Sequence, residues 1–374
     1  MRKNRLFTPG PTPLIPEAQL SMAMPMPHHR TAEFSRIMMD CRKKLQDIFK
    51  TDNELLILSS TGTGAMETAV SNLHSFGEKV LIVSVGKFGE RWIELAEAYS
   101  LESQILKKPY GESASAEEIL SSLQQTSGIK SLFIQGCETS TGTAHNLETI
   151  SRSVREKFPD ILIIVDAITA IGCQVMEVDQ WDLDVVISGS QKSFGIPPGL
   201  SFISLGKRAL EALDSNPGKN FYYLSLLREL KGQGQGSPAF TPSIALVMAL
   251  QTACSKILRY GLDRTIDDAA QMAKCTRSGL EALGFRLLSK SPANATTAAF
   301  PPDGISAGDL KSRLDDWYGV KVAGGQGDVA GKIIRVAHLG YFDILDVFTV
   351  LSALELTLAG MGRKITPGAG SRRQ

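Results

Sequence analysis

Between residues 55 and 205 one kind of unit recurs along the chain. "LLILSS" (55–60) runs into the small-residue turn "TGTG" and the helical "AMETAVSNLHSF", and "KVLIVSV" (79–85) runs into "GKFG" and "ERWIELAEAYS". "SLFIQG" (131–136), "ILIIVD" (161–166), "DVVISG" (184–189) and "LSFISL" (200–205) are further runs of the same type. Short apolar runs without alternation belong to strands buried on both faces, and amphipathic stretches between them supply the cover. The pattern predicts an α/β fold with a mostly parallel or mixed central sheet.

Beyond about residue 215 the pattern breaks. "DSNPGKNFYY" and "KGQGQGSPAFTPS" read as Gly/Pro/Ser-rich connectors, which carry function more often than strands. Two long helices ("IALVMALQTACSKILRYG" and "TIDDAAQMAKCTRSGLEALG") follow, then a strand "ATTAAF" and a helix "AGDLKSRLDDWYG". A glycine loop "AGGQGDVAG", a strand "KIIRVAH" and a helix from Asp343 complete the chain. At about 150 residues per domain, 374 residues suggest two. The expected division is an N-terminal arm (1–20), a large domain (21–250), a smaller α+β domain (251–360) and a tail (361–374) that frays for want of an apolar face.

Composition narrows the partners. With 40 basic residues against 39 acidic ones, the net charge of +1 offers nucleic acid or an anionic membrane no global attraction. The start, "MRKNRLFTPGPTPLIP", has no apolar run behind its basic residues, so no secretory signal is expected. No uncharged stretch reaches membrane-spanning length. The cysteines (Cys41, Cys137, Cys173, Cys254, Cys275) are scattered and lack CxxC spacing, which suits reduced thiols in the cytoplasm. His28 and His29 are adjacent and point different ways, so no metal site is expected.

In open α/β sheets, ligands bind beyond the carboxyl ends of the strands, and the unusual residues of this chain fall there. "SGSQKSFGIPPG" (188–199) puts Lys192 just past an apolar run, where an ammonium keeps a partner or loses its charge. In "STGTGAME" (60–67) small residues open backbone N–H groups to an anion, and Thr61 and Thr63 add hydroxyls. Neither the P-loop nor the Rossmann fingerprint is complete there. Asp166 ends "ILIIVD", where a carboxylate calls for a cation such as a protonated ring nitrogen, or else caps a following helix. Phe88, in the loop after "KVLIVSV", offers a flat face to a planar ring. An anion cradle, an acid, an aromatic face and a lysine are the parts that pyridoxal 5′-phosphate requires.

These segments, with "DAITAIG", "CETSTGT" and "GGQGDVAGKIIRVAHLGY", resemble the class V aminotransferases of fold type I from residue 7 to about residue 358. The likeness is greatest to alanine–glyoxylate and serine–glyoxylate (serine–pyruvate) aminotransferases, a group that includes bacterial proteins labelled soluble hydrogenase small subunit. It implies a large domain on a mainly parallel sheet of the seven-stranded type, a smaller α+β domain, and a homodimer with shared active sites. It further implies that Lys192 carries the cofactor as a Schiff base and shuttles the proton. Asp166 would pair with the pyridine nitrogen, with Ile168 beneath the ring and Phe88 in a stacking position that is Trp in some relatives. Thr61, Gly62 and Thr63 would hold the phosphate, with Gln191 beside the lysine and Thr139 at the ring hydroxyl. Arg335 would grip the substrate α-carboxylate, near Pro9 and Gly10. Ser237 or Thr241 would reach the partner's phosphate, although "GQGQGSPAFTPS" departs from the Gln-Thr-Pro-aromatic-Thr-Pro run of many relatives.

The substrates expected are small: alanine or serine as donor, glyoxylate or pyruvate as acceptor. No second cation clearly faces the site; Arg30, in "MPHHRTAEF", is the one candidate, but an arginine in such a charged N-terminal segment more often lies at a subunit interface or in solvent, and aspartate or another dicarboxylic donor is the alternative. A cysteine desulfurase needs a nucleophilic cysteine on a mobile loop, and loops 232–243 and 324–331 contain none. Cys137, at a strand end, reads as a packed residue. Nickel and iron–sulfur sites need clustered cysteines, which are missing from the sequence.

Overall fold

The computed structural model describes residues 3–216 and 221–370, and a seven-stranded sheet forms its centre. Across the sheet the order is Glu54–Leu58, Ser201–Leu205, Val185–Gly189, Leu162–Asp166, Ile129–Gln135, Lys79–Ser84 and Glu102–Lys107. Ser201–Leu205 runs antiparallel to both neighbours, and every other pairing is parallel. Each apolar run of the sequence pattern lands in this sheet. Glu102–Lys107 does not belong to the pattern, because an edge strand alternates: its Ile105 is exposed.

Helices cover both faces, and successive strand residues feed opposite cores. Leu55 and Ile57 pack with Phe34, Met38 and Leu45 of the helix Ala32–Phe49 and with Val247 and Leu250 of the helix Ile244–Tyr260. Leu56 and Leu58 pack on the other side with Ala65 and Met66 of Gly62–Leu73 and Trp92 of Lys87–Ala98. A period of two with both sides apolar is why these runs show no alternation.

A second, five-stranded sheet has the order Arg5–Phe7, Val320–Gly324, Ile334–Ala337, Thr296–Phe300 and Arg286–Leu287. Its core includes Leu280 of Leu262–Ala282, Leu310 of Ala307–Tyr318 and Leu354 of Ile344–Gly360. The N-terminal arm opens as a strand of this sheet, parallel to Val320–Gly324. The helix Ile244–Tyr260 runs unbroken through residue 250, and its Ala253, Cys254 and Ile257 lie in the larger core. The tail has no continuous apolar face, yet Ile365 and Ala369 pack on the smaller core, and the Glu355 carboxylate accepts from the N–H groups of Gly368 (2.7 Å) and Gly370 (3.3 Å). Residues 371–374 of that tail and residues 217–220 of the "DSNPGKNFYY" connector lie outside the described residues. Among the described residues no helix is long and apolar enough to cross a membrane.

Candidate active site

Lys192 follows the strand Val185–Gly189 in a turn whose geometry is set by its own carbonyl. That oxygen accepts from Thr12 Oγ1 (2.9 Å) and from Gly195 N–H (3.0 Å). The side chain turns inward, is buried, and donates from Nζ to the Pro9 carbonyl at 2.5 Å. Gly10 makes the approach possible: its φ is +137°, and a Cβ there would stand 2.3 Å from Nζ. Burial pushes the ammonium down to about 8; the Asp166 charge opposes this and the Arg335 charge adds to it. The result is an amine that, still mostly protonated near neutral pH, keeps a far larger neutral share than an ordinary lysine.

Asp166 ends the strand Leu162–Asp166, 3% exposed, and one carboxylate oxygen accepts from Ile168 N–H at 2.9 Å. No helix begins there: the carboxylate closes a turn rather than capping one. Burial pushes it up to about 7, with the Ile168 N–H and Lys192 working the other way. A carboxyl poised between charge states at this depth suits a cation placed against it. Ile168 touches the start of Gly62–Leu73, where a Cβ on Gly62 would lie 2.3 Å from its Cδ1. Thr61 is the N-cap of that helix without a capping side-chain bond, so its first N–H groups face outward beside the Thr61 and Thr63 hydroxyls. A Cβ on Gly189 would lie 3.1 Å from Gln191 Oε1 and 3.6 Å from Gly62 N, and this buried Oε1 has no hydrogen-bond partner among the described residues. Rotating that amide presents its NH₂ instead, so the cradle fits an anion such as the phosphate of pyridoxal phosphate.

Phe88 differs from the sequence expectation. It is the second residue of the helix Lys87–Ala98 rather than part of a loop. The N-cap, Gly86, has no side chain, and the cap comes from Glu138: its Oε2 accepts from Phe88 N–H and Gly89 N–H, both at 3.0 Å. Thr139, next in the chain, shares a hydrogen bond with Thr169 Oγ1 at 2.7 Å. Its carbonyl accepts from Arg335 Nη1 at 3.1 Å, while Arg335 Nε donates to the Gly324 carbonyl at 2.9 Å. Arg335 is 7% exposed, and burial draws its guanidinium down to about 10. Ile334 and Val336 lie in the smaller core, whereas Ile333 joins Ala298 and Val329 on the other face, the face of Arg335. Sequence reasoning missed two residues here. Glu138 is one, although it too is an acid just past an apolar run. Arg91 is the other: Nη1 donates to Thr63 Oγ1 at 3.2 Å, and the guanidinium carbon stands 4.7 Å from the Phe88 ring centre.

Arg30 and Ser237 hold each other, and Thr241 lies a few residues further along the same loop. Arg30 Nη1 donates to Ser237 Oγ at 2.5 Å and to the Pro238 carbonyl at 2.9 Å, and Thr241 is exposed. Thr241 edges a cavity lined also by Ser59, Ser60, Tyr223, Phe240 and Met38. Cys137 is buried and its thiol is pushed up to about 12, which removes the thiolate that sulfur transfer needs.

A mostly parallel seven-stranded sheet with a buried lysine, a buried carboxylate and a cradle that fits an anion at its strand ends matches the architecture of fold-type-I pyridoxal-phosphate enzymes. The sequence model described as "Aminotransferase class-V" matches residues 18–339. A protein named "Soluble hydrogenase, small subunit", from Synechococcus sp. (strain PCC 6716), is 36% identical over 372 residues, 98% of this chain and 96% of its own length. The solved subgroup IV aspartate aminotransferase from Thermus thermophilus is 34% identical with a TM-score of 0.89, over 96% of this chain and 99% of that one. An alanine–glyoxylate aminotransferase from Nostoc sp. is 29% identical with a TM-score of 0.91, over 96% of both chains. The chain belongs to the class V aminotransferases. It is a transaminase, and its cofactor is pyridoxal 5′-phosphate.

Proposed function

We propose that the enzyme moves the amino group of a small amino acid, alanine or serine, to glyoxylate or pyruvate. The observation that carries this reading is Arg335, a buried guanidinium propped by two carbonyls and acting on Lys192, while Arg30 is committed to Ser237 and Pro238. One fork suits one α-carboxylate. The name of the Nostoc relative agrees with this substrate class.

When bound, pyridoxal phosphate supplies an electron sink for negative charge at the substrate α-carbon. The chain's own residues do the rest. Lys192 Nζ would hold the cofactor at its aldehyde carbon, with loss of water, and, once displaced from it by the substrate amine, would carry the proton removed from the α-carbon. The Asp166 carboxylate would keep a proton on the pyridine nitrogen, Ile168 and Phe88 would flank the ring, and Thr139 would meet the ring hydroxyl. Thr61, Gly62, Thr63 and Gln191 would bind the phosphate, and Arg335 would orient the substrate carboxylate, with Pro9 and Gly10 beside the substrate.

The working form in this reading is a cytoplasmic homodimer with shared sites. Thr241 is the better candidate to reach the partner's phosphate, since the Ser237 hydroxyl is already held by Arg30. The exposed Tyr222 and Tyr223, packed around Phe240 next to Thr241, give the subunit an apolar edge to cover. Aspartate as donor is the second reading. It is favoured by the name of the Thermus relative and by Arg91, whose charge also acts on Lys192 and Asp166. Initial rates with alanine, serine and aspartate against glyoxylate and pyruvate decide between them: a kcat/KM for aspartate above those of alanine and serine overturns the first.

A further inference from the structure

We propose that Glu138 is a positioning residue that sets the ring-stacking Phe88 and the carboxylate-binding Arg335 against each other. This rests on the cofactor site described above and adds a group to which no role there has been given. Glu138 is fully buried, and four donors converge on its carboxylate. Oε2 accepts from Phe88 N–H and Gly89 N–H (3.0 Å each), and Oε1 accepts from Ser140 N–H (3.0 Å) and Ser140 Oγ (2.5 Å). Ser140 Oγ in turn accepts from Lys87 N–H at 2.9 Å. The first three N–H groups of Lys87–Ala98 are thus met by one strand end, about fifty residues away in sequence. The approach is close enough to demand Gly86, where a Cβ would fall 2.4 Å from Ser140 Oγ and 2.5 Å from Glu138 Cγ.

An ordinary helix start is capped locally, as Thr31 and Ser115 do elsewhere in this chain. A buried carboxylate is a costly substitute unless its fixed charge and reach serve something more. Here the reach is to the platform. The backbone that Glu138 grips carries the Phe88 ring, so the ring's height follows the carboxylate. The charge reaches the clamp: Glu138 is the acid that acts on buried Arg335, and the carbonyl supporting Arg335 belongs to the next residue, Thr139. Ring face, ring-hydroxyl contact and carboxylate fork therefore share one anchor.

The test uses Glu138→Gln, which keeps shape but replaces one accepting oxygen with a donor facing backbone N–H groups. Pyridoxal phosphate is the probe, with its dissociation constant, the visible circular dichroism of the bound cofactor, and KM and kcat as readouts. Losing charge-assisted bonds at a buried site predicts cofactor affinity weakened about tenfold or more and a reduced dichroic band. KM for both amino and keto substrates should rise by more than kcat falls. In a Phe88→Leu background the same substitution should weaken affinity less than about threefold, because coupled residues are non-additive. Unchanged affinity and dichroism with only a lower Tm, or an equal penalty in both backgrounds, overturns the proposal. Should Glu138→Gln not fold, Ser140→Ala decides: it removes the link to Lys87 and predicts affinity about threefold weaker with the same dichroic change, and no change overturns the proposal. A wild-type chain that takes up no pyridoxal phosphate overturns the cofactor site itself, whereas normal uptake by both variants overturns only the role of Glu138.

Discussion

If Lys192 takes up the cofactor's aldehyde, the rate of uptake follows its neutral amine, since only the free base is nucleophilic. Burial and the Arg335 charge bring Lys192 to about 8 from 10.5, with Asp166 holding it back from falling further. At pH 7.5 a pKa of about 8 leaves about a quarter of the amine neutral, against about one part in a thousand for an ordinary lysine, a gain on the order of 240-fold. Stopped-flow absorbance of cofactor-free enzyme mixed with pyridoxal phosphate, from pH 6.5 to 10, should show a rate that climbs about tenfold per unit at first and flattens above about 8. The neighbours give the sign. Arg335→Gln removes a like charge and moves the midpoint up; Asp166→Asn removes an opposite charge and moves it down. Stability carries the same linkage. The folded pKa lies below the unfolded one, so between about 8 and 10.5 the folded cofactor-free chain holds fewer protons, and this group's share of stability rises with pH across that window. Uptake that is flat from pH 7 to 9, or a midpoint near 10.5, refutes the reasoning, as does a shift of either variant in the wrong direction.

Other outcomes follow from the same geometry. Asp166→Asn should retain cofactor uptake but lose turnover by about 10²-fold or more, because the proton on the ring nitrogen is no longer held; near-normal kcat would make Asp166 only the acceptor for Ile168 N–H. Arg335→Lys keeps the charge and loses the planar fork, so kcat/KM for amino and keto substrates should fall about tenfold to a hundredfold with unchanged cofactor absorbance. A drop in Tm with intact kinetics would leave Arg335 a brace for Gly324 and Thr139. Mixing Lys192→Ala subunits with Thr241→Ala subunits should restore activity in heterodimers. No restoration, with Thr241→Ala alone impaired, would place the Thr241 contact within one chain.

Much of the fold could be read because strands buried on both faces leave long apolar runs, and a polar residue ending such a run stands out. Lys192 and Asp166 were visible for that reason. Glu102–Lys107 was not, since an edge strand needs no apolar run. The helix start at Lys87 was hidden because its cap lies in another segment: Gly86 gives no local signal, and Glu138 acts across the sheet. Arg30 looked available to substrate as an isolated cation, and only the folded chain brings Ser237 and Pro238 to it. The contacts of residues 365–370 were equally illegible, because they rest on two acceptor oxygens of Glu355 and isolated packing at Ile365 and Ala369.

Everything proposed for this site turns on the buried amine of Lys192, just past Val185–Gly189, being the cofactor's attachment point. Borohydride reduction of the cofactor-loaded enzyme, followed by proteolysis and mass spectrometry of the peptides, reads this directly. A pyridoxyl group is expected on Lys192 and on no other lysine; a pyridoxyl group on a different residue, with Lys192 unmodified, would contradict this attachment.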